Sequence, residues 1–246
     1  MNKARGVLRL IAFLCLSLLD VLRIFLLQVI FPRSQSRQIS YGGLKHWSRW
    51  AKRLLGVEIE YQGEFPTVSA MVLPNHRSYI DVLPFTLKLD LTFVAKVEVS
   101  RWPVIGLGAR AVGTVFVDRA DKASRTLTRQ KMGEALAMGR SVIVFAEGTT
   151  FKAPDLGVLR PGMFQLAAEG GFPVVPVAIE YQHVEDAWVG KDTFIPHFIR
   201  CFGKKNTRIV VRFGPMMTSS DSESLRQEVY EWLQINLANI RSQISV

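Results

Sequence analysis

The chain has 246 residues, room for one full α/β domain with an appendage, and shows neither low-complexity segments nor a solenoid repeat. Two distant cysteines, Cys15 and Cys201, and four histidines without metal spacing argue against a disulfide framework or a structural zinc site and fit a reducing compartment. The net charge of +10 is uneven: residues 1–60 hold ten Lys and Arg against three acids, flanking the most hydrophobic stretch, which suits an anionic membrane surface better than nucleic acid.

That stretch, residues 7–31, would as a helix reach about 37 Å, enough for a hydrocarbon core of about 30 Å. Arg5, Arg9, Asp20 and Arg23 fall within about 60° of one another on it, with Ser17 and Gln28 further round. A narrow polar stripe on an apolar helix suits embedding in one leaflet, or a span whose stripe faces protein; a buried soluble helix is the plainer alternative. A cleaved leader is not expected, because the apolar run is too long and no A-x-A site follows. Residues 33–43 read as a turn or linker. Residues 44–55 place Leu44, Trp47, Trp50, Ala51, Leu54 and Leu55 at helical spacing, with the tryptophans suited to an interface or to core packing.

From residue 57 the period changes. Strands are predicted at 57–61, 68–73, 91–99, 113–118, 141–146, 174–181 and 208–213, with helices near 79–88, 103–111, 121–139, 160–170 and 221–243. This alternation predicts an α/β fold, a mostly parallel sheet flanked by helices (residues 56–246), preceded by a membrane-associated helical region (residues 1–55). In such sheets function collects at the carboxyl ends of strands, where three polar groups fall: Asn75-His76, Asp118-Arg119 and Glu147-Gly148-Thr149.

His76 and Asp81 suit a base whose tautomer a carboxylate fixes. Five residues on one helix lie about 140° apart, so the pair meets only if His76 precedes the helix that carries Asp81. The plain reading is a surface histidine beside a first-turn acid. No G-x-S-x-G elbow is present, so a hydroxyl activated by His76 belongs to a substrate. Arg119 could grip a phosphate or pair with Asp118 or Asp121. Glu147 could hold a donor or orient a basic residue, and Gly148 lets backbone approach a ligand.

N-H-x4-D at 75–81, G-x-x-F-x-x-R at 113–119, E-G-T at 147–149 and V-P-V at 175–177 together resemble the four ordered blocks of the glycerophospholipid acyltransferases, most closely the bacterial 1-acyl-glycerol-3-phosphate acyltransferases. Lys96, Glu98, Pro103 and Gly106 resemble the approach to the second block. The resemblance implies that His76 deprotonates the acceptor hydroxyl, that Asp81 orients it, and that the oxygen attacks the thioester of acyl-CoA or acyl-carrier protein with no metal and no cofactor. It implies substrate contacts from Asn75, Lys96, Gly113, Phe116, Arg119, Glu147, Gly148, Thr149 and Arg160, with Pro176 and its flanking valines on the acyl side. Membrane lipids as partners and a place on the cytoplasmic face of a bacterial inner membrane fit the same likeness, and the apolar N-terminus argues against nucleic acid. One departure stands out: Thr150 occupies the place of a common arginine, for which Arg160 could compensate. Lysophosphatidate is the first-choice acceptor, another lysolipid such as lyso-ornithine lipid the alternative. A non-catalytic membrane-binding protein is the rival class, disfavoured because both His76 and Asp81 are present.

Overall fold

The computed structural model describes residues 2–244. Helix α1 (Lys3–Ile30) opens where the Asn2 side chain accepts a hydrogen bond from the Arg5 amide at 3.1 Å. Its buried residues Gly6, Leu10, Phe13, Ser17, Asp20, Val21 and Ile24 recur three and four apart, which puts them on one face. Leu8, Ile11, Leu19, Leu22, Leu26, Val29 and Ile30 are exposed on the other.

The expected linker at 33–43 is largely helical instead. After a 3₁₀ turn at Arg33–Gln35, helix α2 (Ser36–Leu55) doubles back along α1. Tertiary contact explains the difference. Ser40 donates to the Ala111 carbonyl at 2.9 Å, and a Cβ on Gly43 would stand 2.5 Å from Ile24 Cγ1, so the two helices approach where only glycine fits. Trp47 and Trp50 turn toward α1 rather than outward: Trp47 Nε1 donates to Ser17 Oγ at 2.9 Å, and Trp50 Nε1 donates to Asp20.

The stripe on α1 faces protein. Arg9 donates to the carbonyls of Phe202, Lys204 and Lys205 at 3.0, 2.8 and 3.2 Å, satisfying groups at and just beyond the end of a helix. Asp20 pairs with Arg23 at 3.0 Å, and Gln28 donates to Ala111 O at 3.1 Å. With Arg9 near one end and Gln28 near the other tied to the α/β body, α1 lies along that body rather than projecting from it.

Among the described residues seven strands follow: β1 (Val57–Gln62), β2 (Met71–Pro74), β3 (Leu91–Lys96), β4 (Val115–Val117), β5 (Ser141–Ile143), β6 (Val174–Tyr181) and β7 (Thr207–Phe213). They form one sheet in the order β1-β7-β6-β2-β5-β3-β4, parallel except where β6 meets β7. Helices α3 (Val82–Thr86), α4 (Ile105–Ala111), α5 (Lys122–Ala137), α6 (Pro161–Gly170), α7 (Phe194–Phe202) and α8 (Ser222–Ile244) complete the fold. Helix α7 was not expected. Pro196 and the polar His197 and Arg200 mask its pattern, although proline in a first turn leaves no intrahelical bond unmade.

β6 is buried at every position, as a central strand covered on both faces must be. Its Val175, Val177, Ile179 and Tyr181 join a core with α1, α2, α3 and α7, while Val174 and Ala178 join one with α5, α6 and α8. Leu10 and Phe13 of α1 belong to the first core, so the N-terminal helices share their apolar interior with the sheet.

Candidate active site

β2 ends at Pro74, and the chain turns through Asn75 and His76 before a 3₁₀ turn at Tyr79–Asp81 leads into α3. His76 thus precedes the helix that carries Asp81, and the two meet: His76 Nδ1 lies 2.8 Å from Asp81 Oδ2. The same oxygen accepts from the amides of Arg77 at 2.7 Å and Ser78 at 2.9 Å, and Oδ1 accepts from the Tyr181 hydroxyl. Asp81 is fully buried, whereas the His76 side chain keeps 22% of its surface exposed. The imidazole stacks on Phe145, centroids 4.0 Å apart and rings 23° from parallel. With Nδ1 committed to Asp81, Nε2 is the nitrogen left for a substrate proton.

The turn is held from behind. Arg77, 1% exposed, donates to both Glu180 oxygens at 3.1 and 3.2 Å and to the carbonyls of Phe151 and Asp155 at 3.1 and 2.7 Å. Arg241 of α8 adds a 3.0 Å contact to Glu180. Four donors to carbonyl and carboxylate oxygens leave this guanidinium buried but satisfied.

Glu147 stands beside the pair but not as a ligand contact. It is 2% exposed, and its oxygens accept from the His76 amide and, at 2.7 Å, from the Gly157 amide. Burial pushes its carboxyl up to about 7, against the pull of those two amides and of Arg77. The acceptor contact expected of Glu147 is therefore replaced by a positional one: it ties the loop after β5 to the His76 turn.

Arg119 and Arg160 converge. Gly148, at φ +77°, leaves room that a Cβ would take 3.6 Å from Arg119 Nη1 and 3.7 Å from Arg160 Nε. Arg119 also donates to the Gly148 carbonyl. Asp118 and Asp121, the two acids nearest to Arg119 in the sequence, make other hydrogen bonds. Asp118 accepts from Ala120 N at 3.0 Å, and Asp121 caps α5 through the amides of Ala123 and Ser124. Partial burial, with Glu98 opposing and Arg160 reinforcing, lowers the Arg119 guanidinium from its ordinary value; it stays charged at any physiological pH. Thr149 is exposed on the same loop. Lys96 ends β3 in register with Val117, so it reaches the same strand end as Arg119.

Four expected contacts lie elsewhere. Asn75 is fully buried and exchanges both amide groups with Ile179, at 3.0 and 2.7 Å, so it fastens the turn to β6. Gly113 precedes β4 at φ +76°, up to roughly 20 Å along the chain from Arg119 at ~3.3 Å per residue, at the amino end of a strand whose carboxyl end carries the site. Phe116 is mid-strand in register with Ala95. Pro176 is buried inside β6 where pairing to β7 lapses, its ring near Trp232 of α8, so it fills core rather than lining an acyl path. Arg77, Phe145, Glu180 and Tyr181 were missed by sequence reasoning. Their partners are distant in the chain, and no local pattern marks them.

A His–Asp pair with a buried carboxylate and a partly exposed imidazole, on loops that also bring two arginines together at the carboxyl ends of strands in an α/β sandwich, is an arrangement suited to group transfer. A family model described as Acyltransferase matches residues 56–180. The chain is 31% identical over 204 residues to the lyso-ornithine lipid O-acyltransferase of Rhizobium meliloti, covering 75% of this chain and 70% of that one. It is 28% identical over 197 residues to the 1-acyl-sn-glycerol-3-phosphate acyltransferase of Neisseria meningitidis, covering 75% and 76%. The crystal structure of the 1-acyl-sn-glycerophosphate acyltransferase PlsC from Thermotoga maritima superimposes with TM-score 0.74 over 98% of both chains at 19% identity, a likeness of fold. This protein belongs to the acyltransferase family, and it is an enzyme of the lysophospholipid acyltransferase kind.

Proposed function

We propose that the protein transfers a fatty acyl group from a thioester of coenzyme A or acyl-carrier protein to the hydroxyl of a lyso-ornithine type lipid. His76 Nε2 takes the hydroxyl proton as the oxygen attacks the thioester carbonyl. The new ester C–O bond replaces the C–S bond, and the imidazolium returns its proton to the departing thiolate. Asp81 holds Nδ1–H and steadies the charged ring.

The acceptor rests on one observation. Thr150, where the family commonly has arginine, spends its hydroxyl on the Trp188 carbonyl, so the loop offers Arg119 and Arg160 without a third guanidinium. Having one guanidinium fewer than the common family pattern weakens the hold on a phosphomonoester, whose charge is near −2, more than the hold on the singly charged carboxylate of an amino acid. The relative named for lyso-ornithine lipid supports this order, which reverses the one expected from sequence; lysophosphatidate is the second reading, supported by the Neisseria relative. The test is kcat/KM for both acceptors with each donor. Wild type should prefer the ornithine lipid, Arg119→Ala should raise the KM for either acceptor about tenfold, and Thr150→Arg should shift preference toward lysophosphatidate. A wild type that favours lysophosphatidate would overturn the assignment and leave the His76 chemistry standing.

The enzyme works at a membrane surface, on the cytoplasmic side, with the outer face of α1 in one leaflet. The apolar outer face supports this, as does the α2 flank, where Arg49, Lys52 and Arg53 line a groove of about 410 Å³ suited to anionic head groups. Replacing Leu19, Leu22 and Leu26 together by Gln should abolish flotation with anionic liposomes while circular dichroism stays unchanged. Undiminished flotation would refute the anchor.

A further inference from the structure

The end of β6 does more than close the sheet. Successive residues there point to opposite faces, so Glu180 and Tyr181 diverge: Glu180 pins Arg77, and Tyr181, 3% exposed, donates to Asp81 Oδ1. Three N–H donors crowd Oδ2, while the Tyr181 hydroxyl is the side-chain partner of Oδ1. Burial, followed by the charge of Asp81, raises the Tyr181 phenol well above its usual value, so the hydroxyl keeps its proton and stays a donor.

We propose that Tyr181 is a positioning residue for acyl transfer: its hydroxyl fixes the Asp81 carboxylate in the plane that the His76 ring needs, and sets how strongly that carboxylate attracts the imidazolium. This rests on the His76 mechanism. A carboxylate that loses a hydrogen bond concentrates its charge and holds a cationic partner more firmly. Removing the hydroxyl should therefore make His76 harder to deprotonate and move the acid limb of the rate profile to higher pH. Other titratable groups surround the triad: Glu147 on the loop after β5, Arg77 with Glu180 and Arg241, and Asp186 and Cys201 near Tyr181, the Cys201 thiol kept neutral by burial. Glu147, pushed up to about 7 by burial, contributes equally to wild type and variant, so their difference isolates Tyr181.

The experiment compares wild type, Tyr181→Phe and a protein with 3-fluorotyrosine at position 181, by kcat and KM across pH and by the ¹⁵N NMR titration of the His76 ring. Tyr181→Phe should lower kcat about tenfold, because the Asp81 carboxylate leaves the plane that aims the His76 ring, with both KM values within about twofold. Its acid limb and the His76 titration midpoint should both rise, and fluorotyrosine, a stronger donor, should move both the other way. The NMR readout needs no substrate, so it judges Tyr181 even if the acceptor or donor is misassigned. If Tyr181→Phe does not fold, the fluorotyrosine protein decides alone. A His76 titration that stays put in the folded variants, with only melting temperature reduced, would make Tyr181 a packing residue and overturn the proposal.

Discussion

His76→Ala is expected to lower kcat by ~10²–10⁴-fold with the fold intact, because the imidazole is partly exposed and general-base catalysis is typically worth that much. Asp81→Asn is the informative companion. An asparagine can turn its amide oxygen toward the His76, Arg77 and Ser78 donors and its NH₂ toward the Tyr181 hydroxyl, which can accept as well as donate. The hydrogen bonds survive and the charge is lost, so the variant isolates electrostatic stabilisation of the imidazolium. The double variant should be little slower than His76→Ala, since the pair acts as a unit. Steady-state rates on purified proteins, with circular dichroism as the fold control, decide this. Near-normal turnover by His76→Ala would remove the mechanism.

Arg77→Ala should have the largest effect on stability. It strips Glu180 of its bidentate partner, leaves Arg241 as the neighbouring cation, and frees the Phe151 and Asp155 carbonyls that the guanidinium ties down. Breaking a buried pair by removing one partner costs about 3–5 kcal/mol, which for a chain of this size lowers Tm by roughly 10 °C. Activity should fall with it, because Phe151 N donates to the His76 carbonyl at 2.9 Å, so the freed loop is part of the turn that aims the imidazole. Arg77→Met with Glu180→Leu should recover part of the loss, since apolar replacement leaves no unpaired charge at position 180. A single variant melting within a degree or two of wild type would show that the network contributes little.

Local features of the sequence determined much of this protein. Strand and helix alternation, the polar groups at three strand ends and the His76–Asp81 spacing are short-range patterns, and short-range backbone preferences carry them into the fold. The spacing set the condition that His76 precede the helix carrying Asp81, and the turn after β2 at Pro74 and Asn75 meets it. Tertiary structure decided what depends on distant partners. Tyr181 meets Asp81 across 100 residues and Glu180 meets Arg77 across 103, separations with no periodic signature. Residues 36–43 look like a linker until α1 supplies the surface on which Gly43 packs, and α7 is a helix because Phe198, Cys201 and Phe202 find the first core. Motif residues also divided by position along their strands. Arg119 and Gly148, at carboxyl ends, converge, whereas Gly113 at an amino end and Pro176 inside a doubly covered strand are kept from the site. Membership of a motif requires only a place in the sequence; contact with a substrate requires the strand's direction and its burial, which the packed sheet alone supplies.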